Sequence, residues 1–239
     1  MLAENISQQL LGFDGMDSIS DIVPVTGSIE YNKRFFTFEK YISKGRWVSY
    51  WNQLNEVLSE TSQDTPSSCL IIGCGDNIVP DVLKKFGVEA VTFDYSKDLE
   101  PDICGDIREI LSILGEDKKF DFILCCQVLE HLEYTHFLPV LKQLSKLAKR
   151  KVIISLPQQA SYLEFRLKVP KFPEIDFYKL IFRSWIKEFR NNEHYWEIGI
   201  KGYPLNRIRN DLYNCFRIEK EFTDPIFKYH RFFILLPII

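Results

Sequence analysis

The chain has 239 residues, 46% hydrophobic and 26% charged, values of a globular protein rather than a disordered one. Its formal net charge of −3 gives no general case for nucleic-acid binding. Its longest apolar stretch, Phe232 to Ile239, is too short to span a bilayer. The first residues, Met1-Leu2-Ala3-Glu4-Asn5, carry an acid and no long apolar core, so they do not read as a signal peptide. Six cysteines, at 69, 74, 104, 125, 126 and 215, include no CxxC pair and fall largely in apolar runs. They read as reduced, buried small hydrophobes of a cytoplasmic protein rather than zinc ligands or disulfides.

Residues 1 to about 30 are mixed, with Gly12, Gly15, Pro24 and Gly27, and read as a loosely structured lead-in. From Tyr31 the chain turns aromatic and basic through Lys33, Arg34, Phe35, Phe36, Phe38, Lys40 and Tyr41. A helix is expected next, docking through Trp47, Trp51, Leu54 and Leu58 at helical spacing. The same segment is a candidate lid over a cofactor or acceptor. Glu60 to Ser68 is polar and reads as a linker, so residues 1–67 are expected to form an extension packed on a core of 68–239.

The core alternates as a doubly wound α/β sheet does. The first strand is Cys69 to Ile72, and its helix runs from about Ile78 to Phe86, with Pro80 tolerable in the first turn and Gly87 able to end it. Val88 to Asp94 is the second strand, and Asp102 to Cys104 a weak third, followed by a short helix from Arg108 to Leu114. Phe120 to Cys126, a nearly continuous apolar run, is the fourth strand of a sheet covered on both faces. Residues 135–149 place Leu138, Leu141, Leu144 and Ala148 along one helical face, and Val152 to Pro157 is the fifth strand. The rhythm then breaks for about 45 residues before a helix near Leu205 to Leu212. Two closing strands, Phe216 to Phe222 and Arg231 to Leu236, are close enough in sequence to pair antiparallel at a sheet edge.

The chemistry concentrates where the first strand breaks into Gly73-Cys74-Gly75 and a helix follows. Glycines let the backbone approach a ligand closely in conformations closed to other residues, and a helix N-terminus offers free N–H groups to an anion. Asp94, 19 residues past Gly75, ends the second strand, where a carboxylate can accept both hydroxyls of a ribose. Together they indicate a nucleoside cofactor. A dinucleotide-binding Rossmann domain shares these features but calls for a fuller Gly-x-Gly-x-x-Gly, and position 78 is Ile.

With Gly105-Asp106 and the segment Gln127-Val128-Leu129-Glu130-His131-Leu132 after the fourth strand, the chain resembles class I S-adenosylmethionine-dependent methyltransferases from about Ser68 to Pro237. The resemblance implies a Rossmann-like, seven-stranded, mostly parallel sheet with helices on both faces, an antiparallel last strand, an N-terminal helical extension and a cap inserted after strand five. It further implies S-adenosylmethionine (SAM) as cofactor, held by Gly73, Cys74, Gly75, Asp94, Tyr95, Asp106, Ile107 and Gln127, with Asp106 beside the adenine amine. Two positions depart from the family's pattern. Ile71 stands where an acid is usual and Asn77 where a third glycine is frequent; Asn tolerates the left-handed region, and Asp76 is a candidate substitute for the missing acid.

Glu130 and His131 have three readings. They tie a loop to backbone; or His131, or the later His194, takes a proton from an acceptor hydroxyl; or, as in some metal-assisted O-methyltransferases that the segment resembles, Gln127, Glu130, His131 and His194 hold a divalent ion. Gln127 brings no charge to such a site. Residues 161–190 contain eight aromatics and seven Lys or Arg against four acids, and Asp176 to Arg190 reads as an apolar helix. That composition fits a cap over the site at about 158–202 or a homodimer interface, and also a lipid-linked acceptor at a membrane surface or stacked bases. His194, Tyr195, Trp196 and Glu197 are expected on a pocket rim, and His230 is expected to be structural. The expected activity is methyl transfer from SAM to oxygen of a small-molecule or lipid-linked acceptor, against a non-catalytic cofactor-binding or partner module on the same fold.

Overall fold

The structure is a computed structural model that describes residues 23–25, 28–30, 35–61, 67–169, 171, 175–181 and 193–238. In place of a loose lead-in, β1 (Val23–Val25) and β2 (Ser28–Glu30) pair antiparallel; residues 1–22 lie outside the described residues. Two helices follow, α1 (Phe38–Tyr41) and α2 (Lys44–Leu58), the second capped by Ser43, whose side chain accepts from the N–H of Arg46.

The main sheet is laid down by β3 (Ser68–Ile72), β4 (Glu89–Asp94), β5 (Ile103–Cys104), β6 (Phe120–Cys126), β7 (Ala148–Pro157), β10 (Phe216–Thr223) and β11 (His230–Pro237). Its spatial order is β10-β11-β7-β6-β3-β4-β5. The pairs β3–β4, β3–β6, β4–β5 and β6–β7 are parallel, while β11 runs antiparallel to both β7 and β10. This is the seven-stranded Rossmann-like sheet with an antiparallel last strand.

Period-2 alternation in β3 sends side chains to two separate cores. Leu70 and Ile72 join Phe137, Leu141, Leu144, Ile208 and Leu212 from α5 (Phe137–Leu147) and α6 (Leu205–Tyr213). Cys69 and Ile71 join Tyr50 and Val57 of α2 and Val79 and Leu83 of α3 (Ile78–Lys85) on the opposite face. Both faces are covered, and for that reason β3 and β6 read as unbroken apolar runs. The short helix α4 (Ile110–Leu114) follows one turn of 3₁₀ helix at Ile107–Glu109.

α2 docks through Leu54 and Leu58, which are partly buried against the core as expected, but not through Trp47 and Trp51. Its buried residues are Ser49, Tyr50, Gln53, Glu56 and Val57, and Trp47 and Trp51 are 48% and 65% exposed. Polar anchors turn the helix: Ser49 Oγ meets His230 Nδ1 at 2.9 Å, Tyr50 donates to Asp76, and Lys220 Nζ donates to Glu56 at 2.6 Å. Apolar content alone does not reveal such a rotation.

After β7 the chain forms a hairpin, β8 (Ser161–Leu167) against β9 (Ile175–Ile181), paired over all seven positions from Ser161↔Ile181 to Leu167↔Ile175. The expected helix from Asp176 is therefore a strand as far as Ile181, and residues 182–190 lie outside the described residues. The cross-strand register with β8, rather than the periodicity of the segment itself, makes Ile175–Ile181 a strand. Residues 193–200 return to the sheet: Ile198 N–H donates to Pro157 O at 3.0 Å and Gln159 N–H to Ile198 O at 2.7 Å. No helix among the described residues is long and apolar enough to cross a membrane.

Candidate functional site

The parallel strands β3, β4 and β6 end on one edge, where the glycine turn forms. Gly73 has φ +79° and Gly75 φ +54°, the left-handed region that favours glycine. A Cβ on Gly73 would lie 2.4 Å from Val128 Cγ2, so that residue also needs to be bare. Asn77 has φ 61° immediately before α3 and fills the left-handed position in place of a glycine. Asp76, one residue before the N-cap Asn77, accepts the N–H of Ile78 on Oδ1 at 3.1 Å. Its other oxygen is taken by the Tyr50 hydroxyl, so the N-terminal helices grip the turn directly. Phe36 closes the same side, its ring 3.5 Å from where a Gly75 Cβ would stand. Ile71 is 4% exposed within the apolar cluster beneath α2 and α3, where a carboxylate would be desolvated.

Asp94 ends β4 and reaches across to the turn. Its Oδ2 accepts the Cys74 N–H at 2.9 Å and its Oδ1 the Ser96 N–H at 2.9 Å. Burial raises the carboxyl above the ordinary aspartate range, opposed by these two N–H groups. The Cys74 thiol is pushed up to about 12 by burial and by the neighbouring Asp94. Tyr95 is 41% exposed, and the next strand is tied in by the Gly105 N–H, which donates to Asp94 O at 2.9 Å.

Asp106 is committed to Arg108. It accepts the Arg108 N–H at 2.8 Å and the guanidinium on both oxygens, and that ion pair holds its carboxyl below the ordinary range. Ile107 beside it is buried. Gln127 follows β6 at φ 57° and donates through Nε2 to Ser155 Oγ at 3.2 Å. Thus Gly73, Cys74 and Asp94 meet in one hydrogen-bonded turn, Gly105-Asp106 lies on its β5 flank, and Gln127-Val128 on its β6 flank.

One turn of 3₁₀ helix, Leu129–His131, leaves the end of β6 and carries the second group of functional side chains. Glu130 is fully buried and neither carboxylate oxygen has a hydrogen-bond partner among the described residues. Burial pushes its carboxyl up to about 7, with His194 pulling the other way. His131 and His194 stand edge to face, ring centroids 4.7 Å apart at 84°. The Nδ1 of His131 lies 2.9 Å from Glu193 O, a carbonyl that can only accept, so Nδ1 carries the proton. Burial lowers the His131 ring to about 3, His194 adding to the effect.

His194 Nδ1 lies 2.7 Å from Glu197 Oε1. Burial pulls His194 down, but the bond to Glu197 and the charges of Glu130 and Glu193 outweigh it and hold the ring above the ordinary histidine range. Glu197 is itself fixed by Tyr229, which donates to Oε1 at 2.7 Å, and by Gln159, which donates to Oε2 at 2.7 Å. These partners escape a sequence reading because they converge from three segments far apart in the chain. Trp196 and Glu197 are 0% and 1% exposed, so they belong to the core rather than to a pocket rim; Trp196 Nε1 donates to Leu132 O at 3.0 Å. His230 is buried against Ser49 and Phe227 in a structural position.

A family profile described as a methyltransferase domain matches residues 45–220. No curated protein matches the chain. Among solved structures it is similar to magnesium protoporphyrin IX methyltransferase from Synechocystis PCC 6803 with bound SAM, at 16% identity, TM-score 0.53, covering 81% of this chain and 80% of that one. A SAM-dependent methyltransferase from Archaeoglobus fulgidus gives 15% identity and TM-score 0.54, covering 86% of this chain and all of that one (100%). The N-methyltransferase NodS from Bradyrhizobium japonicum WM9, in complex with S-adenosyl-L-homocysteine, gives 10% identity and TM-score 0.53 over 82% and 89%. The solved structures share the fold, the profile spans most of the sequence, and the chain belongs to the methyltransferase domain family, the class I S-adenosylmethionine-dependent methyltransferases.

Proposed function

We propose that this chain transfers the methyl group of SAM to an oxygen of a small-molecule or lipid-linked acceptor. The supporting observation is the turn in which Cys74 N–H and the Asp94 carboxylate meet at 2.9 Å between two left-handed glycines. The residues fit the cofactor. A cradle stripped of Cβ atoms at 73 and 75 and the N-terminus of α3 suit its methionine carboxylate. Each oxygen of Asp94 accepts one backbone N–H and keeps lone-pair capacity for a ribose hydroxyl, with Tyr95 beside it. Asp106 and Ile107 would flank the adenine, and Gln127 would floor the site from β6.

When bound, the cofactor supplies a methyl group already activated on a sulfonium, so the protein's task is alignment in a water-poor pocket and, for a hydroxyl acceptor, removal of one proton. Of the two candidate bases, His194 is the better proton acceptor. Its Nδ1 is oriented by Glu197, whereas the buried His131 ring resists protonation. His131 is then a positioning residue. A proton acceptor at the site favours oxygen as the methylated atom.

The test is calorimetry with SAM, followed by a screen of hydroxyl, amine and carbon acceptors with isotopically labelled methyl. Binding with turnover on a hydroxyl compound supports the reading. Absence of binding at millimolar SAM overturns it. Binding without turnover over the whole panel would instead mark a cofactor-binding module.

A further inference from the structure

Resting on the methyl-transfer reading of the site, we infer that the acceptor carries a carboxylate and that Arg46 binds it, so that the substrate class is an aromatic hydroxy acid. Arg46 lies in the first turn of α2, where its backbone N–H is taken by Ser43 Oγ at 3.1 Å. Its guanidinium lies over the Tyr41 ring, with Cζ 4.2 Å from the centroid. Among the described residues that guanidinium has no acid and no hydrogen-bond acceptor, although the residue is half-buried. A charged group withdrawn from water is ordinarily paired, and the planar fork of an arginine fits the two oxygens of a carboxylate.

Two runs of contacts place Arg46 between the glycine turn and the proton acceptor. On one side Tyr41 meets Phe36 edge to face at 4.7 Å, and Phe36 stands 3.5 Å from the place of a Gly75 Cβ. On the other side Phe227 presses on Gly45, where an added Cβ would lie 2.4 Å from its ring. Phe227 contacts Tyr229, ring centroids 6.4 Å apart. Tyr229 donates to Glu197 at 2.7 Å, the carboxylate that orients His194. The electrostatics agree: burial dominates the ionisation of Glu130 and of Tyr229, and both also feel the positive charge of Arg46. An acceptor held by its carboxylate at Arg46 can therefore turn its hydroxyl toward His194.

The surroundings select the ligand. The rings of Phe36, Tyr41 and Tyr229 favour a flat, apolar body. A phosphate monoester would bring about −1.5 to −2 charges to one cation near Asp76 and Glu130, so a monoanion is the better match. The carboxylate of the cofactor already has the glycine turn and the N-terminus of α3, which leaves Arg46 to the acceptor.

The test reads binding rather than turnover, on the full chain with and without S-adenosyl-L-homocysteine, so it does not depend on methyl transfer. Hydroxybenzoates, hydroxyphenylacetates, hydroxycinnamates and the amide of each are titrated by ligand-observed NMR. An acid of this set should bind at least about tenfold more tightly than its amide. Arg46→Gln should erase that preference and Arg46→Lys should keep part of it. Should Arg46→Gln fail to fold, the wild type is modified with phenylglyoxal: the acid should protect Arg46 and the amide should not. No binding by any acid, equal binding of acid and amide, or a preference retained in folded Arg46→Gln overturns the inference. A second arm titrates SAM and methylthioadenosine, which lacks the amino-acid end of the cofactor. Arg46→Gln should shift both by less than about twofold, and a loss of about tenfold for SAM alone would assign Arg46 to the cofactor and overturn the inference. A chain that methylates only uncharged hydroxyl compounds would keep the methyl-transfer reading and overturn this one.

Discussion

Asp94 and Cys74 are locked to each other: Asp94 Oδ2 accepts the Cys74 N–H at 2.9 Å and lies 3.5 Å from the Cys74 sulfur. One carboxylate therefore shapes the glycine turn and offers its remaining lone pairs to a ligand. Replacing Asp94 with Ala removes both functions and strands the N–H groups of Cys74 and Ser96, at about 1 to 3 kcal/mol for each that stays buried and unsatisfied. Asp94→Asn keeps the shape and one acceptor oxygen. The expected result is a clear drop in melting temperature for Asp94→Ala, a small one for Asp94→Asn, and at least a tenfold loss of SAM affinity in both. Calorimetry and a thermal melt separate the two effects. Unchanged affinity in Asp94→Asn would remove this residue from the cofactor site.

Gly73 is constrained twice. Its φ of +79° disfavours any side chain, and the added Cβ of Gly73→Ala would stand 2.4 Å from Val128 Cγ2. Overpacking of this kind costs about 1 to 3 kcal/mol, with the left-handed backbone adding about 1 kcal/mol or more. Gly75→Ala meets only the Phe36 ring at 3.5 Å, an ordinary contact, and carries the backbone strain alone. Gly73→Ala should therefore melt well below Gly75→Ala. The double variant Gly73→Ala/Val128→Ala should recover part of the loss, since it removes the clash and keeps the strain. No recovery would place the cost entirely in the backbone.

The signals that a sequence shows are local ones. Cys69 to Asp94 is legible because strand, glycine turn, helix and strand each carry their own periodicity and punctuation, and because the acid follows at a fixed spacing. The docking face of α2 is legible only in part: Leu54 and Leu58 pack on the core as their spacing suggests, but the polar anchors do not show. Ser49, Tyr50 and Glu56 find their partners His230, Asp76 and Lys220 in other elements, and nothing in the 44–58 stretch announces them. The same holds for Glu197, whose partners Gln159 and Tyr229 come from either side of a long insertion. The hairpin at 161–181 fails for another reason. Its aromatics are dense enough to satisfy period 3.6 and period 2 alike, and only the cross-strand register decides between them.

All six cysteines are free thiols, yet only Cys104 is exposed. Cys126 is pushed up to about 12 by burial, as Cys74 is, and Cys125 is raised well above the ordinary thiol range. Because the thiolate is the nucleophile, these residues stay protonated and inert at pH 8. A native protein treated with a thiol-reactive chromogenic reagent at pH 8 should release about one equivalent quickly, all of it from Cys104. Cys104→Ser should abolish the fast phase. The other thiols should appear only with denaturant. A fast second equivalent assigned to Cys74 by mass spectrometry would mean that Asp94 does not hold the turn closed in solution.

Glu130 carries a buried charge that works against the fold. Its carboxylate has no hydrogen-bond partner among the described residues, and burial pushes it up to about 7. Because the folded-state value lies above that of an unfolded glutamate, the cost is fully present above pH 7 and fades as the pH falls toward 5. Glu130→Gln keeps the shape and removes the charge, so at pH 8 the variant should melt at or above the wild type, and the gap should close toward pH 5. Paired melts of the two proteins at the two pH values read both halves. A wild type that melts above Glu130→Gln at pH 8 would show that the carboxylate has a stabilising partner in solution.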